Sequence, residues 1–164
     1  KRRFYMFGLN KDTPVVGKAD IKVQSSCKEV FSFVGANFIK NYPKWSPEVV
    51  DLESLTDGSV KVGTMCRQVR VDQGRRSEST FKVTIFQPGK RICFEGISNP
   101  YRCDYVLETD KTKSASQIHF TFELLSLEVF MRPFEKLIRM AVQEGTEKTV
   151  RNIKKLVESK NNKI

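Results

Sequence analysis

Residues 115–125 read ASQIHFTFELL and residues 132–158 read RPFEKLIRMAVQEGTEKTVRNIKKLVE, and the change of period between them decides the fold. In the first stretch Ile118, Phe120, Phe122 and Leu124 alternate with polar residues, which puts one apolar row on one face of a strand. In the second, Phe134, Ile138, Ala141, Gly145, Thr149, Ile153 and Leu156 recur at helical spacing, flanked by Leu137, Val142, Val150 and Val157. Pro133 suits a first helical turn. A helix on the order of 40 Å long is therefore predicted over 132–158.

Five further alternating runs precede this pair, near 48–56, 62–72, 76–86, 90–98 and 101–109. Short turn sequences separate them: Asp57-Gly58, Asp72-Gln73-Gly74, Pro88-Gly89, Ser98-Asn99-Pro100 and Asp110-Lys111-Thr112-Lys113. Links this short join antiparallel neighbours. Upstream, Ile21 and Val23 alternate with polar residues from Ala19 onward, and Ser25 and Ser26 sit where an N-cap belongs. Val30, Phe31, Val34 and Phe38 then predict one or two short helices over about 27–41. Asn41-Tyr42-Pro43-Lys44-Trp45-Ser46-Pro47 is expected to be a structured loop, because its two prolines remove donors and force the preceding residues extended.

These elements predict an α+β fold, a curved seven-stranded antiparallel sheet wrapped around the long C-terminal helix. The apolar face of the sheet must be buried, and that helix is the only large apolar partner left. At 164 residues the chain is expected to be one domain over 19–164, preceded by an arm over 1–18 that packs through Phe4, Tyr5 and Phe7.

With 39% hydrophobic and 29% charged residues, the composition is that of a globular protein, and no apolar run approaches the roughly 20 residues that span a bilayer. Lys1-Arg2-Arg3 and Phe4-Tyr5-Met6-Phe7 resemble the start of a signal, but Gly8, Asn10, Lys11 and Asp12 end the apolar stretch too soon, so no signal peptide is expected. The net charge is +10, and residues 1–18 and 148–164 supply nearly all of it. The centre is close to neutral, which argues against a domain built on a phosphate-binding face and for no specific nucleic-acid partner. Cys27, Cys66, Cys93 and Cys103 form no CxxC pair and the chain has one histidine, so no metal and no cofactor are expected. Alternation turns Cys93 and Cys103 to opposite faces, and four free thiols suit a reducing cytoplasm.

Taken together, the run Ala19 to Phe33, the Tyr42-Pro43-Lys44-Trp45-Ser46-Pro47 loop, Val62-Gly63-Thr64, the Phe86-Gln87-Pro88-Gly89-Lys90-Arg91 turn and the closing helix resemble the START-like (SRPBCC) superfamily, in its polyketide cyclase/dehydrase and lipid-transport branch. The resemblance covers about 19–158. It implies a helix-grip fold with a deep cavity between sheet and helix, which in relatives holds sterols, lipids, quinones or polyketide intermediates. It implies no single reaction.

Alternation assigns the inner face to Ile21 and Val23; Thr64, Cys66, Gln68 and Arg70; Ser79, Phe81 and Val83; Ile92, Phe94 and Gly96; Cys103, Tyr105 and Leu107; and Ile118, Phe120, Phe122 and Leu124. The small residues Ala141 and Gly145 at mid-helix either leave room for a ligand or let an aromatic side chain approach closely. The expected ligand-binding set is Cys66, Gln68, Arg70, Phe81, Val83, Phe94, Cys103, Tyr105 and Phe120 on the sheet, with Phe134, Ile138, Ala141, Val142 and Gly145 on the helix side. Gln68, Arg70, Ser79 and Tyr105 are polar exceptions on an apolar face, and Arg70 either holds an anionic ligand end or reaches out to water. Trp45 either guards the mouth or plugs an open end of the sheet. His119 has outward parity, so no catalytic residue is assigned. The functional expectation is a carrier of a hydrophobic small molecule. The alternatives are a polyketide cyclase or dehydratase using Arg70, Tyr105 and Gln68, and a nucleic-acid or anionic-membrane binder using the basic ends, which leaves transient membrane contact open.

Overall fold

A computed structural model describes residues 14–163. The arm contacts expected of Phe4, Tyr5 and Phe7 lie outside the described residues. Seven strands form one antiparallel sheet: β1 Val15–Val23, β2 Val49–Ser54, β3 Met65–Asp72, β4 Arg75–Gln87, β5 Arg91–Gly96, β6 Tyr101–Thr109 and β7 Ser116–Leu124. Their order is β1-β7-β6-β5-β4-β3-β2, a meander whose first strand returns to pair with the last. The first strand starts at Val15, four residues before the predicted alternation, because Val15 and Gly17 face inward but Gly17 has no side chain to show it.

Between β1 and β2 run α1 Cys27–Phe31, a π-helical turn Ser32–Ala36 and α2 Phe38–Trp45. Ser26 caps α1 by accepting from the Glu29 amide at 3.3 Å. Pro43 lies inside α2, contrary to the expected loop. A proline in the second turn removes only its own amide, and the ladder resumes where the Ser46 amide donates to the Tyr42 carbonyl at 3.0 Å.

A 3₁₀ turn, Val129–Phe134, leads into α3, Glu135–Asn161. This helix is anchored by its second half: Thr146, Val150, Ile153 and Val157 are its buried residues. It lies alongside β1, the edge strand of the sheet, and satisfies that edge with side chains. Gln143 accepts from the Lys18 amide at 3.1 Å and donates to the Lys18 carbonyl at 2.8 Å. Lys154 donates to the Lys22 carbonyl and Glu158 accepts from the Gln24 amide, each at 2.9 Å. The open hydrogen-bonding row of an edge strand is thereby covered. Two further lysines of α3 make contacts away from this edge, Lys148 with Glu48 at 3.1 Å and Lys160 over the Phe33 ring at 4.7 Å.

The sheet has two apolar partners, which corrects the expectation of one. Besides α3, the short helices supply Phe31, Phe33, Val34, Phe38, Tyr42 and Trp45, all buried, against the β3–β5 half of the inner face. Phe38 sits edge-on to Phe81 at 5.9 Å and tilted on Phe94 at 5.2 Å between centroids. Packing of this kind contributes about 0.5–1.5 kcal/mol per aromatic pair beyond area burial.

On the outer face His119 bridges the carboxylates of Asp20 and Glu108, as its parity predicts. The Asp20 hydrogen bond, aided by Glu108, raises its pKa against a smaller opposing effect of burial. A folded-state value above the unfolded one means that the contribution is complete below about pH 6.5 and is lost as pH rises through the raised value. The ring is more than one-third exposed, so solvent limits the effect to about 0.2–1 kcal/mol. Urea melts of wild type and His119→Gln should differ most near pH 6 and converge at alkaline pH. A difference independent of pH would show that the ring acts only by packing.

Candidate functional site

The buried residues of α3 all lie beyond Val142, and its first half, seated on β1 along one side at Val142, Gln143 and Thr146, borders a cavity of about 690 Å³ that is open to solvent. Gly145, an exposed residue, lines the open side: a Cβ built there meets no atom within 4 Å. The inward strand positions form the opposite wall, with Gln68 and Arg70 from β3, Ser77 and Ser79 from β4, Tyr101, Cys103 and Tyr105 from β6, and Phe120, Phe122 and Leu124 from β7. Tyr42 and Trp45 of α2 close one end. Trp45 is 1% exposed and donates through Nε1 to the Tyr105 hydroxyl at 3.3 Å, so it is a fixed plug in the wall.

The structure brings Gln68, Arg70, Cys103, Tyr105, Phe120, Ile138, Ala141, Val142 and Gly145 together around this space. It places the other five elsewhere. Cys66, Phe81, Val83 and Phe94 are fully buried in the core, because α2 covers that half of the sheet. Phe134 is 53% exposed: it ends the 3₁₀ turn, whose three residues per turn rotate it out of the helical stripe. Val129, Phe130, Leu137 and Met140 are exposed beside it. Tyr101 was missed by the sequence reading although it shares the parity of Cys103 and Tyr105. Asn152 and Lys148 also line the cavity from α3, and Asn152 donates to the Trp45 carbonyl at 2.9 Å. Their polar side chains gave no apolar signal to follow.

The charges of the wall pair among themselves. Arg70 grips Asp72 through Nε at 3.2 Å and Nη2 at 3.1 Å, and a third bond reaches Ser46 Oγ at 3.4 Å. Burial opposes the Arg70 charge, but the Asp72 hydrogen bonds and the fields of the Asp72 and Glu48 carboxylates outweigh it, so the guanidinium stays protonated. Neither reading of Arg70 made from the sequence anticipated this internal partner. Deeper in, Gln68 Nε2 donates to Tyr101 Oη at 3.0 Å and to Ser79 Oγ at 3.1 Å. Burial pushes the Tyr101 hydroxyl up to about 12 and the Tyr42 and Tyr105 hydroxyls and the Cys103 thiol well above their ordinary values. Each is therefore neutral at physiological pH, and none of the four changes protonation there.

Among the described residues no cluster of three or more His, Cys, Asp or Glu side chains has metal-site geometry, and the four cysteines are free thiols. No described helix is long and apolar enough to cross a membrane.

Residues 16–158 match the family model described as polyketide cyclase / dehydrase and lipid transport. No curated protein matches the chain. Among solved structures, the chain is similar to a protein of unknown function, SA2116, from Staphylococcus aureus, with a TM-score of 0.73 at 13% identity over 93% of this chain and 99% of that one. It is similar to the Zhui aromatase/cyclase from Streptomyces sp. R1128, with a TM-score of 0.73 at 10% identity over 89% and 94% of the two chains. A norcoclaurine synthase point mutant from Thalictrum flavum superposes with a TM-score of 0.68 at 18% identity over 92% and 98%. Likeness at these identities concerns the fold.

Proposed function

Because the chain belongs to the polyketide cyclase/dehydrase and lipid transport family, on the START-like helix-grip fold, we propose that it binds and carries a hydrophobic small molecule in the cavity under α3 without transforming it. The observation that carries this reading is the void beside Gly145, where the apolar stripe of a long helix faces Phe120, Phe122 and Leu124 across open space. A volume of about 690 Å³ lies within the range of sites that take drug-sized ligands.

Burial holds the Tyr42, Tyr101, Tyr105 and Cys103 protons in place, which deprives an acid–base mechanism of a group that titrates near neutrality. Electrostatic stabilisation by Arg70 is similarly committed to Asp72. These features favour carriage over a cyclase or dehydratase reaction.

The test is native mass spectrometry of protein purified from its own host, with organic extraction of any bound molecule. A noncovalent adduct that extraction removes and reloading restores unchanged is expected. Conversion of the reloaded molecule, lost in Tyr105→Phe while binding persists, would replace the carrier reading with an enzyme.

A further inference from the structure

Gln68, Ser79 and Tyr101 come from three different strands and meet on the cavity wall, and their hydrogen bonds do not balance. The Gln68 amide donates both protons, to Ser79 Oγ and to Tyr101 Oη, while its Oε1 is buried without a partner. The two hydroxyls lie 3.4 Å apart, so one donates to the other and one hydroxyl proton is left over. Turning the amide over moves the deficit to its NH₂ group without removing it. The Gln68 oxygen lies behind the wall, out of reach of the cavity, but Ser79 and Tyr101 line it, so the spare hydroxyl proton is the group left open to a ligand.

The charges at the same cavity point the same way. Its two cations, Arg70 and Lys148, are each held by a carboxylate, Asp72 and Glu48, and Glu128 adds a further negative charge to the lining. Among the described residues an anionic ligand end would find no free cation there and would have to displace one of these pairs.

Resting on the carrier reading above, we infer that the ligand is a neutral, mostly apolar molecule bearing a hydroxyl or carbonyl oxygen, and that Ser79 and Tyr101, held in place by Gln68, recognise that oxygen through the spare hydroxyl proton. This excludes fatty acids and other anionic amphiphiles as preferred ligands. It makes Tyr101 and Ser79 specificity-determining residues.

Three probes of one shape separate the outcomes: pyrene, 1-hydroxypyrene and 1-pyrenecarboxylate, followed by energy transfer from Trp45, the only tryptophan of the chain, which lines the cavity. At neutral pH 1-hydroxypyrene should bind about fivefold tighter than pyrene, the worth of one net hydrogen bond, and the carboxylate no tighter than pyrene. In Tyr101→Phe, and separately in Ser79→Ala, the preference for the hydroxyl should fall to within about twofold while pyrene affinity is kept. Circular dichroism identifies a variant that fails to fold, and the other then carries the comparison; if both fail, wild-type probe order decides alone. Equal binding of all three probes, tightest binding of the carboxylate, or a hydroxyl preference untouched by both substitutions would overturn this assignment and leave the carrier reading standing. Failure of all three probes to bind would overturn the carrier reading itself.

Discussion

Replacing Gly145 by leucine should abolish uptake of an apolar probe such as pyrene while the fold survives. A Cβ at this position touches nothing within 4 Å, so the added side chain extends into the cavity rather than into packed neighbours. Removing a mid-helix glycine also relieves about 1 kcal/mol of helix cost, so thermal stability should stay level or rise by a few degrees. The loss of affinity should exceed about tenfold, because the new side chain takes the volume that the probe would fill. Two measurements on one variant decide the matter. Undiminished probe binding would place the bound probe away from α3. A loss of about 1–3 kcal/mol of stability would mean that Gly145 faces a packed interior.

At Gly17 the same kind of substitution should have the opposite result. Here β1 runs directly beneath α3, and a Cβ would meet Val142 Cγ1 at 2.9 Å, the Val142 carbonyl oxygen at 3.0 Å and, closer than either, Thr146 Oγ1. Thr146 cannot swing aside without giving up its hydrogen bond to that same carbonyl, 2.6 Å long. The helix itself must lift, and with it the burial of Thr146 and Val150 and the paired bonds between Gln143 and Lys18. Gly17→Ala should therefore destabilise by about 2–4 kcal/mol, although alanine in place of a strand glycine is ordinarily favourable. Urea denaturation would show it as a lower midpoint with an unchanged slope. An unchanged midpoint would mean that the helix is seated on the sheet by other contacts.

The strands were legible because each shows its apolar residues on one parity, and the short turns left only antiparallel pairing. The long helix was legible from its stripe. The helix through Pro43 was not, since proline and the residue before it ordinarily argue against helix, and only packing against Phe81 and Phe94 overrides that preference. Cys66, Phe81, Val83 and Phe94 were expected at the cavity because α3 was taken as the only cover for the sheet, whereas Phe38, in a helix the sequence did predict, and Tyr42, in the expected loop, pack over Phe81 and Phe94. Parity alone put Gln68, Cys103 and Tyr105 on the inner face, where they line the cavity. Arg70 was found as well, but parity is silent about Asp72, two residues along the same strand, as its partner.

The seating of α3 on β1 also sets an order of events. Among the described residues the first strand finds its only strand neighbour in β7, about a hundred residues later, and its other edge is met by α3, later still. Contacts so distant in sequence close slowly. During synthesis β1 emerges before both partners and waits first for β7 and then for α3. The meander β2 to β7 can pair strand by strand as it appears, but the sheet is completed from its beginning only after its end exists. Loss of the last turns of α3 would thus be felt most at β1 and the residue after it, where Lys22 would lose the ammonium of Lys154 and Gln24 the carboxylate of Glu158.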